Sequence, residues 1–168
     1  MAHKTKGSFY LGFDIKGFDR NTMGYDVISV FKSKATWKEG ADGVKEITTP
    51  VVHDLTTDDE LKVCPDGAKP EGFLFRGVKE VKLGVTDFLN RIPEDYVNAG
   101  ETVDFVLYKS GAYLETSLLD ATNTPTKDDA VYIAGGLFSS VDPTDGSGVV
   151  VGKVIRDFGD GHVVIKLV

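Results

Sequence analysis

Ala130-Val131-Tyr132-Ile133-Ala134-Gly135-Gly136-Leu137-Phe138 opens the stretch that decides the fold. A polar, Gly-rich loop follows, then Gly148-Val149-Val150-Val151-Gly152-Lys153-Val154-Ile155, a turn, and His162-Val163-Val164-Ile165-Lys166-Leu167-Val168. Each run is short, β-branched and bounded by Gly or Asp, the composition that suits a pleated, half-buried surface. The turn Arg156-Asp157-Phe158-Gly159-Asp160-Gly161 holds an Asp-Gly pair, which supplies the positive φ angles of a tight hairpin. In the last run Val163, Ile165 and Leu167 alternate with His162, Val164 and Lys166, so its two faces differ. A terminal strand frays unless a sheet pairs it, and the segment therefore reads as the closing hairpin of a small β-barrel or sandwich.

The same pattern extends upstream. Phe73-Leu74-Phe75-Arg76-Gly77 and Val78 to Val85 read as strands, the second with Val81, Leu83 and Val85 on one side. Thr86 to Asn90 fits one helical turn, ended by Pro93. Gly100 to Tyr108 places Val103, Phe105 and Leu107 together. Lys109-Ser110-Gly111 reads as a hairpin turn into Ala112-Tyr113-Leu114-Glu115-Thr116, and residues 117–129 read as a loop. Before the body, Asp26 to Trp37 alternates as a strand, and Val44 to Val52 as a short one interrupted at Pro50. His53 to Leu61 offers Thr56 or Thr57 as the cap of a single helical turn. Cys64-Pro65-Asp66-Gly67-Ala68-Lys69-Pro70-Glu71-Gly72 punctuates the chain, because Pro and Gly both interrupt ladder pairing. The expected organisation is mainly β. Residues 1–71 form an N-terminal arm and accessory strands; residues 72–168 form a small β-barrel-like body.

Residues 1–25 interleave Phe9, Tyr10, Leu11, Phe13, Ile15 and Phe18 with Gly7, Gly12, Gly17 and Gly24. Glycine loosens the backbone, while each buried aromatic contributes roughly 2 kcal/mol or more. Two readings fit: a first strand with a bulge, or an extended arm whose aromatics dock on a neighbouring subunit.

At 168 residues, one domain with an attached arm is the default. Its 41% hydrophobic and 27% charged residues argue against global disorder. Residues 1–50 carry eight Lys/Arg against six Asp/Glu, and residues 51–168 carry eleven against twenty, which gives +2 and −9. An acidic body disfavours nucleic acid and anionic membrane, since neutralising phosphate takes clustered Lys and Arg. No apolar run is long enough for a membrane-crossing helix, and Met1 to Gly7 has no signal-peptide core. The lone Cys64 excludes an intrachain disulfide and fits synthesis in a reducing cytoplasm.

Reactive chemistry is sparse. His3, His53 and His162 show no metal-ligand spacing, and His53-Asp54 is half of a metal motif without its second histidine. Asp142 to Gly148 lacks the acid spacing of a calcium loop and reads as a turn. Asp157 and Asp160 flank a glycine turn, where acids set turn geometry. Gly135-Gly136 has no following Lys or helix for phosphate. No Gly-x-Ser-x-Gly elbow or Cys/His pairing marks a nucleophile. The expectation is a protein that is not an enzyme, with no catalytic, cofactor-binding or metal-ligating residue.

The succession Gly100-Glu101-Thr102-Val103, Gly111-Ala112-Tyr113-Leu114, Val131-Tyr132-Ile133 before Gly136-Leu137, Val151-Gly152-Lys153-Val154-Ile155 and Asp160-Gly161-His162-Val163-Val164-Ile165-Lys166-Leu167 resembles tailed-bacteriophage head decoration (capsid cement) proteins over residues 72–168. That resemblance implies a β-tulip-like body, often assembled as homotrimers on the outer capsid surface of the virion, with an arm reaching across major capsid protein subunits. On this reading Phe9, Tyr10, Phe13, Phe18 and Trp37 bury against capsid or neighbouring copies; the other reading has them fill the chain's own core. Two further classes share the composition: a phage tail structural protein, and a small carbohydrate-binding β module stacking sugars on Trp37 and the tyrosines.

Overall fold

Among the described residues, alternating burial marks strands such as Thr102–Leu107 and Ala130–Ala134, where apolar and polar side chains point to opposite faces. The computed structural model describes residues 7–10, 32–37, 45–54, 56, 60–74, 77–79, 96–98 and 102–168. Among these the protein is all β and contains no helix. In order the strands are β1 (Gly7–Tyr10), β2 (Lys32–Trp37), β3 (Pro50–His53), β4 (Glu60–Val63), β5 (Gly72–Leu74), β6 (Gly77–Lys79) and β7 (Tyr96–Asn98). They continue with β8 (Thr102–Leu107), β9 (Tyr113–Thr116), β10 (Ala130–Ala134), β11 (Leu137–Ser139), β12 (Gly152–Asp157) and β13 (Val163–Leu167).

Two units result. One is a closed five-stranded barrel in the order β2-β4-β3-β5-β8; the other is a six-stranded sheet in the order β1-β9-β13-β12-β10-β11. A further parallel pair joins β6 with β7. The closing hairpin forms as read, β12 antiparallel to β13, with a bulge between Val154 and Arg156. It belongs to the six-stranded sheet, however, and the closed barrel is built from earlier strands. Barrel pairing crosses the boundary expected after Glu71: β2, β3 and β4 lie before it, β5 and β8 after it.

Two local expectations change. Lys109-Ser110-Gly111 does not make a hairpin. β8 pairs with β2 and β5 in the barrel, whereas β9 pairs with β13 and β1 in the sheet, so the turn carries the chain from one unit to the other. The Gly111 N–H donates to Leu167 O at 2.9 Å, fastening this crossover to the end of β13. Pro50 does not interrupt a strand but begins one, the position in a ladder where a missing N–H is tolerated. The segment after it, expected as a helical turn, holds Thr56 in a turn capped by Asp54; residues 57–59 lie outside the described residues, as do Val81, Leu83, Val85 and Thr86 to Asn90.

Side-chain direction explains how the units join. Inside the barrel Ala35, Trp37, Val51, Leu61, Leu74, Val103 and Phe105 form one core. Phe73, adjacent to Leu74 on β5, points to the opposite face. There it joins Leu114, Val131, Ile133, Phe138, Val154, Val163, Ile165 and Leu167 from the sheet. The outer face of β5 is therefore the inner wall of the second core, which is why all three residues of this strand are buried.

Polar links reinforce the joint. Thr48 Oγ1 and Thr116 Oγ1 share a buried hydrogen bond of 2.7 Å, and the Thr48 N–H donates to Leu74 O at 2.8 Å. In the loop after β4, the Gly67 N–H donates to Ile133 O at 2.8 Å and Gly67 O accepts the Val149 N–H at 2.8 Å. Asp66 Oδ1 accepts the Gly135 N–H at 2.6 Å.

Candidate functional site

The aromatic residues singled out for contact with a partner are separated by the fold. Phe9 and Tyr10 lie on β1, at an end of the sheet order, in register with Leu114 and Tyr113 of β9. Residues 7–10 thus add a strand beside β9, while the rest of the segment lies outside the described residues. Phe13 and Phe18 lie outside the described residues. Trp37 is corrected: it is 1% exposed in the barrel core, where it fills this chain's own interior and is not offered to a partner. Among the described residues its Nε1 has no hydrogen-bond partner. The same burial removes Trp37, though not the tyrosines, from the surface on which sugars could stack.

Side chains able to do chemistry are engaged with their own surroundings. His53 Nδ1 lies 2.6 Å from Glu71 Oε2, and the ring meets Phe105 edge-on at 5.6 Å between centroids. Asp54, next in sequence, instead accepts from the Thr56 N–H, the Thr56 hydroxyl at 2.8 Å and Lys62 Nζ at 3.5 Å. The two residues of the His53-Asp54 pair thus turn to different partners. Among the described residues no group of three or more His, Cys, Asp or Glu side chains is arranged to hold a metal ion. Burial, with Asp66 and Glu71 adding to it, pushes the Cys64 thiol up to about 11, so it is protonated and unreactive at neutral pH.

The acidic loops are organised from within. Asp142 Oδ1 accepts the N–H and hydroxyl of Thr144, at 2.8 and 2.7 Å; its Oδ2 accepts Gly146 N and Gly148 N, both at 2.9 Å. These hydrogen bonds, those to Thr144 foremost, hold the carboxyl below the ordinary aspartate value. Asp120 and Asp129 are lowered in the same way by bonds from Thr122 and Thr126. Asp157 Oδ1 accepts the Gly159 N–H and Asp160 Oδ1 the His162 N–H, the turn-setting role expected of that pair.

What the surface does offer is aliphatic. Val141, Val149 and Val150 flank the 142–148 loop, and Val141 is 52% exposed. Leu137, Leu107 and Val168 are exposed as well. The sequence reading had placed Val149 and Val150 inside a strand. They instead precede β12, because Val149 is tied to Gly67 while the ladder to Val131 begins only at Val151. No composition signal distinguishes an exposed valine from a buried one in the run Val149-Val150-Val151. Compared with known proteins, the sequence matches no family model and no curated protein.

Proposed function

We propose that this protein is a capsid decoration protein, one that seats on the outer surface of an assembled phage shell and stabilises it by bridging major capsid subunits. The observation that carries the reading is the double β body: barrel and sheet share Phe73 and the Thr48–Thr116 bond, and exposed Val141, Val149 and Val150 lie beside a self-braced loop. Cementing requires a stiff body with adhesive patches spread over subunit junctions. Weak contacts suffice for that task, because each becomes effectively intramolecular once neighbouring copies are seated. Assembly as homotrimers would also cover edge strands that otherwise invite aggregation. Of the strands in the segment that resembles decoration proteins, β9 to β13 supply most of the sheet and β5 and β8 belong to the barrel.

The test is to mix the purified protein with phage shells stripped of their decoration, pellet them, and image them by electron cryomicroscopy. Saturable co-sedimentation, added density over subunit junctions and greater resistance of the shells to heat are the expected results. Shells that remain bare at saturating protein would overturn the reading.

A further inference from the structure

Three Asp-Gly dipeptides lie among the described residues: Asp66-Gly67, Asp145-Gly146 and Asp160-Gly161. In such a pair the glycine nitrogen approaches the aspartyl Cγ with no Cβ in its path. Attack forms an N–Cγ bond, and one carboxyl oxygen leaves as water with a proton from the carboxyl and one from the amide. The product is a five-membered succinimide. Water then opens the ring; cleavage of the bond between nitrogen and the main-chain carbonyl leaves an isoaspartyl link, with one extra methylene in the backbone.

The fold treats the three sites differently. The Gly67 N–H is held by Ile133 O, Gly67 itself is buried, and the Asp66 carboxylate is occupied by the Gly135 N–H. The Gly146 N–H is held by Asp142 Oδ2. Attack at either site first has to break the bond that fixes the glycine peptide. Gly161 stands apart, with Asp160 and Gly161 both exposed in the loop between β12 and β13. Nothing lies within 4 Å of the point where a side chain on Gly161 would project, and among the described residues no acceptor takes its N–H. The Asp160 carboxylate is folded back over that peptide, since its Oδ1 accepts the His162 N–H at 3.2 Å. His162 Nδ1 sits 3.4 Å from the same oxygen, and when protonated it can supply a proton to the oxygen that departs as water.

We propose that Asp160-Gly161 is a site of spontaneous isoaspartate formation, while the folded structure protects Asp66-Gly67 and Asp145-Gly146. The modification lengthens the loop that joins two central strands of the six-stranded sheet and displaces the carboxylate that receives the His162 N–H. This inference is independent of the capsid reading.

The test is to age the folded protein in warm, mildly acidic buffer and locate isoaspartate by peptide mapping, with an isoaspartyl methyltransferase as an orthogonal readout. Residue 160 is expected to convert roughly tenfold faster than residues 66 and 145, the factor imposed by first breaking a structural hydrogen bond. In denaturant the three rates should converge. Conversion at 66 or 145 as fast as at 160 in the folded protein overturns the proposal. Two variants guard the assignment. Asp160→Asn reaches the same imide by losing ammonia, a base-promoted route, so in a parallel ageing at neutral pH it should convert at least as fast as the parent. Asp160→Glu would have to close a six-membered ring and should silence the site. A signal at 160 that survives Asp160→Glu, or is absent from Asp160→Asn, also overturns it.

Discussion

Thr48 is a β-branched residue at φ +73°, fully buried, and its hydroxyl meets that of Thr116. A side chain of this shape rarely occupies the left-handed region, so the surrounding structure must hold it there. Thr48→Val preserves both the shape and the backbone strain, and its effect therefore isolates the hydroxyl. A loss of about 1–2 kcal/mol is expected by chemical denaturation. Pairing it with Thr116→Val in a double-mutant cycle should reveal coupling; purely additive losses would show that the bond does not link barrel to sheet. At Asp142 the argument concerns protons. Its folded-state value lies below the ordinary 3.8, so in the acid range the unfolded chain binds more protons than the folded one. The stabilisation it provides is complete above the unfolded value and fades as pH falls through the folded one. Asp120 and Asp129 shift in the same direction, and melting temperature should decline with them as the solution is acidified below roughly pH 4. Asp142→Asn should lower the melting temperature at neutral pH and flatten part of that acid decline. An unchanged acid profile would remove Asp142 from the explanation.

Glycines show which elements leave no slack. In β5 a Cβ on Gly72 would strike the Val106 carbonyl oxygen and come within 2.7 Å of Phe105 Cδ2, so β5 and β8 approach each other too closely for any side chain. Gly72→Ala should cost roughly 1–3 kcal/mol as barrel strands move apart. Gly135, at φ +58° in the two-residue turn between β10 and β11, faces open space. Asn adopts that conformation readily, so Gly135→Asn should change thermal stability little; a loss equal to that of Gly72→Ala would contradict this contrast. The hairpin between β12 and β13 was legible because its turn carries Asp-Gly and its last strand alternates. The crossover at Lys109-Ser110-Gly111 was not legible. A Gly-containing turn serves a hairpin and a change of sheet equally, and the choice is made by long-range pairing of β8 with β2 and of β9 with β13. Val149 and Val150 misled for a related reason, since the Val149 bond to Gly67 reaches some eighty residues back in sequence and leaves no local mark.

Across the whole molecule, β5 decides whether barrel and sheet behave as one body. Trp37 was ambiguous in the sequence because a partner surface and a core both demand a large aromatic; its place inside the barrel makes it a natural probe. It is the single tryptophan of the chain, so its fluorescence reports the barrel alone, whereas far-ultraviolet circular dichroism reports both units. Phe73 lies in the sheet core while its neighbour Leu74 lies in the barrel core, and neither unit can expose its share of β5 without disturbing the other. The two signals should therefore follow one denaturation curve in the parent protein. Phe73→Ala should cost about 3–5 kcal/mol, and because the lost contacts are those to the sheet, it should separate the curves. The circular dichroism signal would then begin to fall while Trp37 remains buried. Separate curves in the parent would mean that Phe73 and the Thr48–Thr116 bond do not couple the units. Coincident curves in Phe73→Ala would place the coupling in the loop around Gly67, where Asp66→Ala, which strips the acceptor from the Gly135 N–H, is the next variant to measure.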